Sequence, residues 1–137
     1  MSDTTPKTLM DFVQEARARI REIDGDTLAR MLEEKGDLLL LDVREPSEHE
    51  HGHLKNAHLV PRGILEAAAD LQYPKHDDQL STARDQPVVV YCATGGRSAM
   101  AALVLQMMGF REVYNLAGGF MEWAKENRPV VKEASYV

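Results

Sequence analysis

The sequence predicts an α/β fold, an open parallel sheet of about five strands flanked by helices on both faces. Two continuous apolar runs, residues 38–41 and 88–91, carry no alternating polar residues, as is typical of strands covered on both faces. Segments with apolar residues at helical spacing separate the predicted strands. Because strands and helices alternate over short distances, we expect parallel pairing through right-handed crossovers.

The N-terminal part of the chain is predicted to contain a helix, a short strand and a second helix. Thr8 is placed to cap the first helix, whose apolar residues fall on one face. Residues 21–23 follow as a short strand. Asp24 or Asp26 caps the second helix, and Gly36 ends it.

The segments between and after the two apolar runs continue the alternation. Between them we predict a brief strand at 59–60, a helix over 64–71, and mostly loop over 74–87 with one turn around Leu80. The segment after the second run is apolar on nearly every side, which predicts a buried helix. This helix is predicted over 98–108, and it is followed by a strand over 113–116 and a helix over 120–126.

Composition restricts the class of protein. A chain of 137 residues is long enough for one domain, and a hydrophobic content of 44% excludes wholesale disorder. No apolar run approaches the ~20 residues of a membrane helix, and the N-terminus has no signal-peptide pattern, so a membrane is not an expected partner. The net charge of −6 argues against nucleic acid as a partner. A single cysteine cannot form an internal disulfide, which predicts a cytoplasmic location.

Cys92, the single cysteine of the chain, stands at the end of the second apolar run. The loop after it contains Gly95 and Gly96, whose backbone freedom lets successive N–H groups point inward and form an anion-binding nest. The helix predicted to follow adds unpaired N–H groups and the positive end of its dipole. A cysteine in this position is expected to have a lowered pKa and to act as a thiolate nucleophile near neutral pH.

The spacing between Cys92 and Arg97 distinguishes between chemistries. Four residues separate them, whereas the loop of tyrosine phosphatases is one residue longer and surrounds the non-bridging oxygens of a phosphoryl group. The shorter loop suits a single sulfur atom carried on the cysteine. The residues predicted to bind substrate are Ala93, Thr94, Gly95, Gly96 and Arg97.

Polar residues after the first apolar run reach the same edge of the sheet as the cysteine, because the carboxyl ends of parallel strands meet there. We interpret Asp42 and Arg44 as a structural ion pair that supports the cysteine loop, and Ser98 as a further support. Arg97 either contacts an anionic donor or braces the loop. We expect donor contact, because the net charge of −6 leaves few other sources of attraction for a dianion.

Several motifs along the chain resemble those of the rhodanese family. The cysteine loop has the length of the family's active-site loop, and residues 39–46 are similar to its LDVRE segment. Residues 48–61 are similar to its segment E…GHIPGA…IP, and residues 113–123 to its C-terminal pattern V…L.GG…W. Because these motifs follow the family's order, together they are far more specific than one isolated motif.

The resemblance implies a rhodanese-like domain over residues 20–130, preceded by a helical extension over 1–19 and followed by a loose tail over 131–137. It also implies a single-domain sulfurtransferase of the thiosulfate sulfurtransferase class. In the family the cysteine takes up a sulfane sulfur as a persulfide, so the implied catalytic residue is Cys92. The implied donor is thiosulfate or a persulfide, and the implied acceptor is a thiol, cyanide or a protein cysteine. No cofactor is expected.

Two other classes of function stay open. A non-catalytic binding or regulatory module with the same fold ranks second, because such modules usually lack the cysteine. A cysteine-dependent phosphatase or arsenate reductase ranks third, because of the loop length.

His49, His51 and His53 alternate and would share one face of a strand, as in a metal site. Gly52 interrupts them, however, and the resemblance to rhodaneses places this segment in a turn where His53 is structural. We therefore expect no metal.

Overall fold

The computed structural model describes residues 5–34 and 36–132. The strands are β1 (Arg21–Ile23), β2 (Leu39–Asp42), β3 (His58–Leu59), β4 (Pro87–Tyr91) and β5 (Glu112–Leu116). The α-helices are α1 (Leu9–Arg17), α2 (Gly25–Glu34), α3 (Pro46–His51), α4 (Leu65–Ala69), α5 (Asp78–Ser81), α6 (Gly96–Met107) and α7 (Gly119–Lys125). A 3-10 turn, Arg62–Ile64, precedes α4.

Within the described residues the strands form one five-stranded sheet in the order β1-β5-β4-β2-β3, with every neighbouring pair parallel. This confirms the predicted α/β class and the parallel pairing. The two apolar runs form β4, the middle strand, and its neighbour β2, with Leu41 opposite Val90. Both strands therefore end at the same edge of the sheet, where the polar residues that follow them meet.

The core lies on both faces of the sheet, which explains the continuous apolar runs. Alternate residues of β4 point to opposite faces: Val88 and Val90 pack with α4 and α6, whereas Val89 and Tyr91 pack with α2 and α7. All four of these residues are fully buried. A strand covered on both faces has no position at which a polar side chain would reach water.

The helices differ from the prediction in three places. Residues 46–51 form α3, whereas the resemblance implied a turn for the segment from His49 to His53. Pro46 occupies the first turn of α3 and Glu48 accepts a hydrogen bond from the N–H of Glu45 (3.0 Å), a local arrangement that starts a helix. The helix predicted over 64–71 begins as the 3-10 turn and ends at Ala69. Helix α6 is only partly buried, since Met107 at its end is 76% exposed.

The described residues nearest each terminus pack on other elements of the fold. At the N-terminus, Thr8 caps α1 as predicted, and Val13 and Ala16 are buried where α1 packs on α6. At the C-terminus, Val131 forms an antiparallel bridge with His53. Of the predicted extension and tail, residues 1–4 and 133–137 lie outside the described residues.

The turn between β5 and α7 docks directly on the start of the cysteine loop. Gly118 and Gly119 both have positive φ angles, 77° and 59°. After this turn the N–H of Phe120 donates to the carbonyl of Cys92 (2.8 Å), and the N–H of Met121 donates to the carbonyl of Ala93 (3.0 Å). A β-carbon on Gly119 would lie only 2.5 Å from the Cys92 carbonyl oxygen. The glycine pair is therefore required for the close approach of two backbone segments.

Gly119→Ala is expected to lower the free energy of unfolding by about 3 kcal/mol, because it combines backbone strain with a clash against the Cys92 carbonyl. Urea unfolding measures the change. The control is Gly63→Ala, because a β-carbon there meets no atom within 4 Å. Equal stability of the two variants would contradict the proposed packing.

Candidate active site

Cys92 lies immediately after β4, and its side chain is buried at 1% exposure. Hydrogen bonds from Gly95 and Ser98 are directed at its sulfur. The N–H of Gly95 lies 3.1 Å from Sγ, the N–H of Ser98 lies 3.4 Å away, and the hydroxyl of Ser98 donates from 3.3 Å. A buried sulfur surrounded by donors is stabilised as the thiolate, because each donor strengthens its bond when the sulfur is charged.

The shape of the loop depends on Gly95, which has a φ of 103° and caps the N-terminus of α6. This left-handed conformation turns the chain so that the N–H of Gly95 points back to the sulfur. The buried side chain of Asn115, at the end of β5, holds the loop in place by donating from Nδ2 to the Gly95 carbonyl (3.1 Å). Because α6 begins at Gly96, the sulfur also lies at the positive end of a helix.

The pKa of Cys92 reflects two opposing effects. Burial raises the pKa of the thiol, but the hydrogen bonds from the Ser98 side chain and from the N–H groups of Ser98, Gly95 and Thr94 lower it by more. The net result is a pKa below the ordinary value for cysteine. Cys92 therefore has the electrostatic environment of a nucleophile.

Arg97, in the first turn of α6, forms a two-pronged ion pair with Glu48 of α3. Its Nη1 and Nη2 lie 2.9 Å and 3.0 Å from the two carboxylate oxygens. The hydrogen bonds from Arg97, which outweigh burial, lower the pKa of Glu48 to about 2. In the sequence, Glu48 is recognisable only as part of the motif over residues 48–61, which indicates no partner for it. The pairing could have been predicted only from the general expectation that an arginine in the loop needs an acidic partner.

Asp42 is the centre of a buried hydrogen-bond network beneath the site. It pairs with Arg44, whose Nη2 lies 2.9 Å from Oδ2, and the same oxygen accepts from the hydroxyl of Tyr91 (3.0 Å). His49 Nδ1 is 2.9 Å from Oδ2, and Arg44 also donates to the Gly52 carbonyl (2.6 Å). Burial raises the pKa of Asp42, but these hydrogen bonds, first that from Arg44, lower it below its usual value. Asp42 is therefore a buried anion with its charge balanced.

The histidines of this region have structural partners. His49 stacks on His53 with ring centroids 3.7 Å apart, and His53 Nδ1 is 2.9 Å from the carbonyl of His49. His51 Nδ1 lies 2.6 Å from the carbonyl of Ser47. In the part of the chain that the structure describes, no group of three or more His, Cys, Asp or Glu residues is arranged to hold a metal ion.

An open cleft of about 400 Å³ leads to Cys92. One wall consists of the cysteine loop, with Thr94, Gly96 and Arg97. The other wall is helix α1, which contributes four residues: Leu9, Met10, Val13 and Arg17. The sequence did not predict this second wall, because nothing in the pattern of α1 indicates which other element it packs against.

The fold and the site together define an α/β protein with a cysteine sulfur held by backbone N–H groups at the start of a helix. The family match agrees with this description, since residues 24–126 match the rhodanese-like domain. The chain belongs to the rhodanese-like domain family. No helix of the described residues has both the length and the apolar character needed to cross a membrane.

Similar proteins include named sulfurtransferases. A "Sulfurtransferase" of Allochromatium vinosum is 33% identical over 112 residues, which cover 82% of this chain and 95% of that protein. The thiosulfate sulfurtransferase GlpE of Vibrio cholerae is 34% identical over 109 residues, covering 79% of this chain and 92% of that protein. These relatives support a rhodanese-type sulfurtransferase, with a sulfur donor and a sulfur acceptor as its substrates.

A solved structure from Rhodopseudomonas palustris matches with a TM-score of 0.84 and 30% identity, covering 96% of this chain and 99% of that one. That protein is described as a "Possible Tyrosine Phosphatase" of unknown function. The similarity therefore extends over nearly the whole fold, including regions outside the matched family segment.

Ser98→Ala is expected to raise the pKa of Cys92, because it removes the hydroxyl that makes the largest hydrogen-bond contribution to lowering it. The pH profile of Cys92 alkylation by iodoacetamide measures the shift. The matched control is Ser81→Ala: Ser81 is equally buried, but its hydroxyl makes no hydrogen bond among the described residues. If both variants keep the wild-type profile, Ser98 does not stabilise the thiolate.

Glu48→Gln is expected to flatten the acid dependence of stability. The folded pKa of Glu48 is about 2 against an ordinary 4.5, so its contribution is complete above pH 4.5 and is lost as the pH falls towards 2. The free energy of unfolding, measured by urea titration across this window, should fall more steeply with decreasing pH in the wild type than in Glu48→Gln.

The control for Glu48 is Glu66→Gln, which removes a more exposed carboxylate paired with Arg62 at 2.9 Å. Because exposed pairs contribute little to stability, this variant should follow the wild type. Parallel curves for the wild type and Glu48→Gln would show that the Arg97–Glu48 pair does not stabilise the fold.

Proposed function

We propose that the protein transfers a sulfane sulfur through a persulfide on Cys92, with thiosulfate or a persulfide as the donor. The observation that carries the proposal is the arrangement of three hydrogen-bond donors around the Cys92 sulfur. The thiolate that these donors stabilise is the species that attacks sulfur. The named sulfurtransferases among the relatives support the same chemistry.

The reaction has two half-reactions. In the first, the Cys92 thiolate attacks the outer sulfur of the donor; the new S–S bond forms as the donor's own bond breaks, and sulfite or a thiolate leaves with the bonding electron pair. In the second, an acceptor nucleophile attacks the outer sulfur of the persulfide and regenerates the Cys92 thiolate. The acceptor is a thiol, cyanide or a protein cysteine. Covalent catalysis of this kind predicts double-displacement kinetics.

The loop from Ala93 to Arg97 is proposed to hold the transferred sulfur. Its N–H groups and the N-terminus of α6 are aligned before the reaction, so the negative charge on the outer sulfur of the persulfide meets donors already in position. Because the chain has one cysteine, the persulfide cannot be resolved as an internal disulfide.

The supporting roles are proposed on the same geometry. The loop is supported by the pair that Asp42 and Arg44 form beneath it. It is also supported by Ser98 of α6, whose hydroxyl donates to the Cys92 sulfur. Arg97 braces the loop through Glu48, and its predicted contact with an anionic donor stays a prediction. Residues 20–130 are proposed as the catalytic domain, and a cytoplasmic location stays a prediction.

A second candidate function is phosphatase activity, which the name of the Rhodopseudomonas palustris structure favours. Against it, the loop has only four residues between Cys92 and Arg97. Parallel assays with thiosulfate plus cyanide and with an aryl phosphate separate the two functions. A non-catalytic module would turn over neither substrate.

Incubation with thiosulfate is expected to add the mass of one sulfur atom to the intact protein, and cyanide or dithiothreitol should remove it. Intact-protein mass spectrometry measures the adduct. Cys92→Ser should fold but show no adduct and no transfer, because a serine hydroxyl is not ionised near neutral pH. Absence of the adduct on wild-type protein with a confirmed free thiol would falsify the proposal.

A further inference from the structure

Helix α1 forms a wall of the Cys92 cleft that is apolar and exposed. Leu9 and Met10 line the cleft, although they are 67% and 51% exposed. Val13, which is buried, continues the same wall down to the cysteine loop, where a β-carbon on Gly96 would lie 3.4 Å from its Cγ2. A small inorganic donor has no apolar surface to place against these side chains.

The same helix brings a second arginine to the cleft. Arg17 lines it together with Cys92, and its Nη2 lies 3.4 Å from the position that a β-carbon on Gly95 would occupy. The guanidinium therefore lies against the turn that holds the sulfur. Helix α1 lies outside residues 24–126, the segment that matches the family.

The two arginines of the cleft differ in their partners. Both terminal nitrogens of Arg97 are bound by the Glu48 carboxylate. Arg17 has only a loose ion pair, 3.7 Å from Nε to Oε2 of Glu22, and its buried Nε makes no hydrogen bond among the described residues. The same Glu22 oxygen already accepts from Asn115 (3.0 Å). Arg17 is therefore the cleft cation with unused capacity to bind an anion.

We infer that the cleft binds an organic sulfur donor, in which an anionic end that bears the sulfane sulfur is joined to an apolar group. The anionic end is held by Arg17 and the cysteine loop, and the apolar group lies on Leu9, Met10 and Val13. The cleft volume of about 400 Å³ falls in the range, about 300–1,000 Å³, that small organic ligands occupy. The inference rests on the proposed sulfur transfer and specifies its substrate class.

Two thiosulfonate anions, methanethiosulfonate and benzenethiosulfonate, test the inference because they differ only in the apolar group. With either one, the Cys92 thiolate attacks the terminal sulfur, the bond between the two sulfurs breaks, and the sulfinate leaves with the electron pair. Benzenethiosulfonate is expected to have a KM about tenfold lower than methanethiosulfonate. Equal KM values for the two donors would overturn the inference.

A variant of the apolar wall tests whether this wall causes the difference in KM between the two donors. Met10→Ala is expected to raise the KM for benzenethiosulfonate about fivefold and to leave that for methanethiosulfonate nearly unchanged. The matched control is Met107→Ala, since Met107 is 76% exposed and does not line the cleft. If Met10→Ala and Met107→Ala behave alike, the wall does not bind the donor.

A variant of Arg17 tests the anion contact. Arg17→Gln is expected to raise the KM for both thiosulfonates about tenfold, because it removes a charge-assisted contact that both donors share. Arg19→Gln, which removes the same charge from an exposed position outside the cleft, is the control. Identical KM values for these two variants would overturn the assignment of Arg17.

A binding measurement on Cys92→Ser tests this inference independently of the proposed function. Titration calorimetry with benzenethiosulfonate on this variant reports the cleft alone, because no sulfur can be transferred. Binding that is weakened by Arg17→Gln supports the cleft assignment even if the wild type transfers no sulfur. Sulfur transfer without a preference for the apolar donor leaves the proposed function standing and overturns the substrate class.

Discussion

A buried sulfur anion must be surrounded by hydrogen-bond donors, and most of the geometry of this site is explained by that requirement. Cys92 is 1% exposed, so water cannot supply the donors, and the N–H groups of Gly95 and Ser98 take its place. Those N–H groups point at the sulfur only because Gly95 adopts a left-handed conformation. The close approach of Gly119 and the Asn115 side chain then fix the backbone on either side of the turn.

A second buried acidic group, the carboxylate of Asp42, lies below the loop. Asp42 connects the ends of β2 and β4, because it accepts hydrogen bonds both from Arg44, which follows β2, and from Tyr91 of β4. Its contact with His49 ties α3 to the same centre, and α3 carries the Glu48 carboxylate that holds Arg97. Two sets of polar contacts, joined through the backbone of α3, therefore run from the sheet to the rim of the cleft. Each buried charge in it is paired, as burial in a low-dielectric interior requires.

The cysteine loop and the opposite wall of the cleft come from different segments of the chain. The loop that stabilises the sulfur is built on β4, β5, α6 and α7, which all lie within the segment that matches the rhodanese-like domain. The surface that a donor meets outside the loop is built largely from α1, which precedes that segment. The cysteine loop and the surface proposed to select the donor are thus located on separate parts of the chain.

The sequence by itself determined the α/β class, the parallel pairing and the position of Cys92 at the end of a buried strand. These follow from local signals: two uninterrupted apolar runs, as expected of strands covered on both faces, and a glycine loop between strand and helix. Only the tertiary structure decided that Arg97 pairs with Glu48, that Gly119 touches the Cys92 carbonyl and that α1 forms a wall of the cleft. The physical reason is that these contacts join residues far apart in the chain, and a local pattern specifies which face of an element is buried but not which partner covers it.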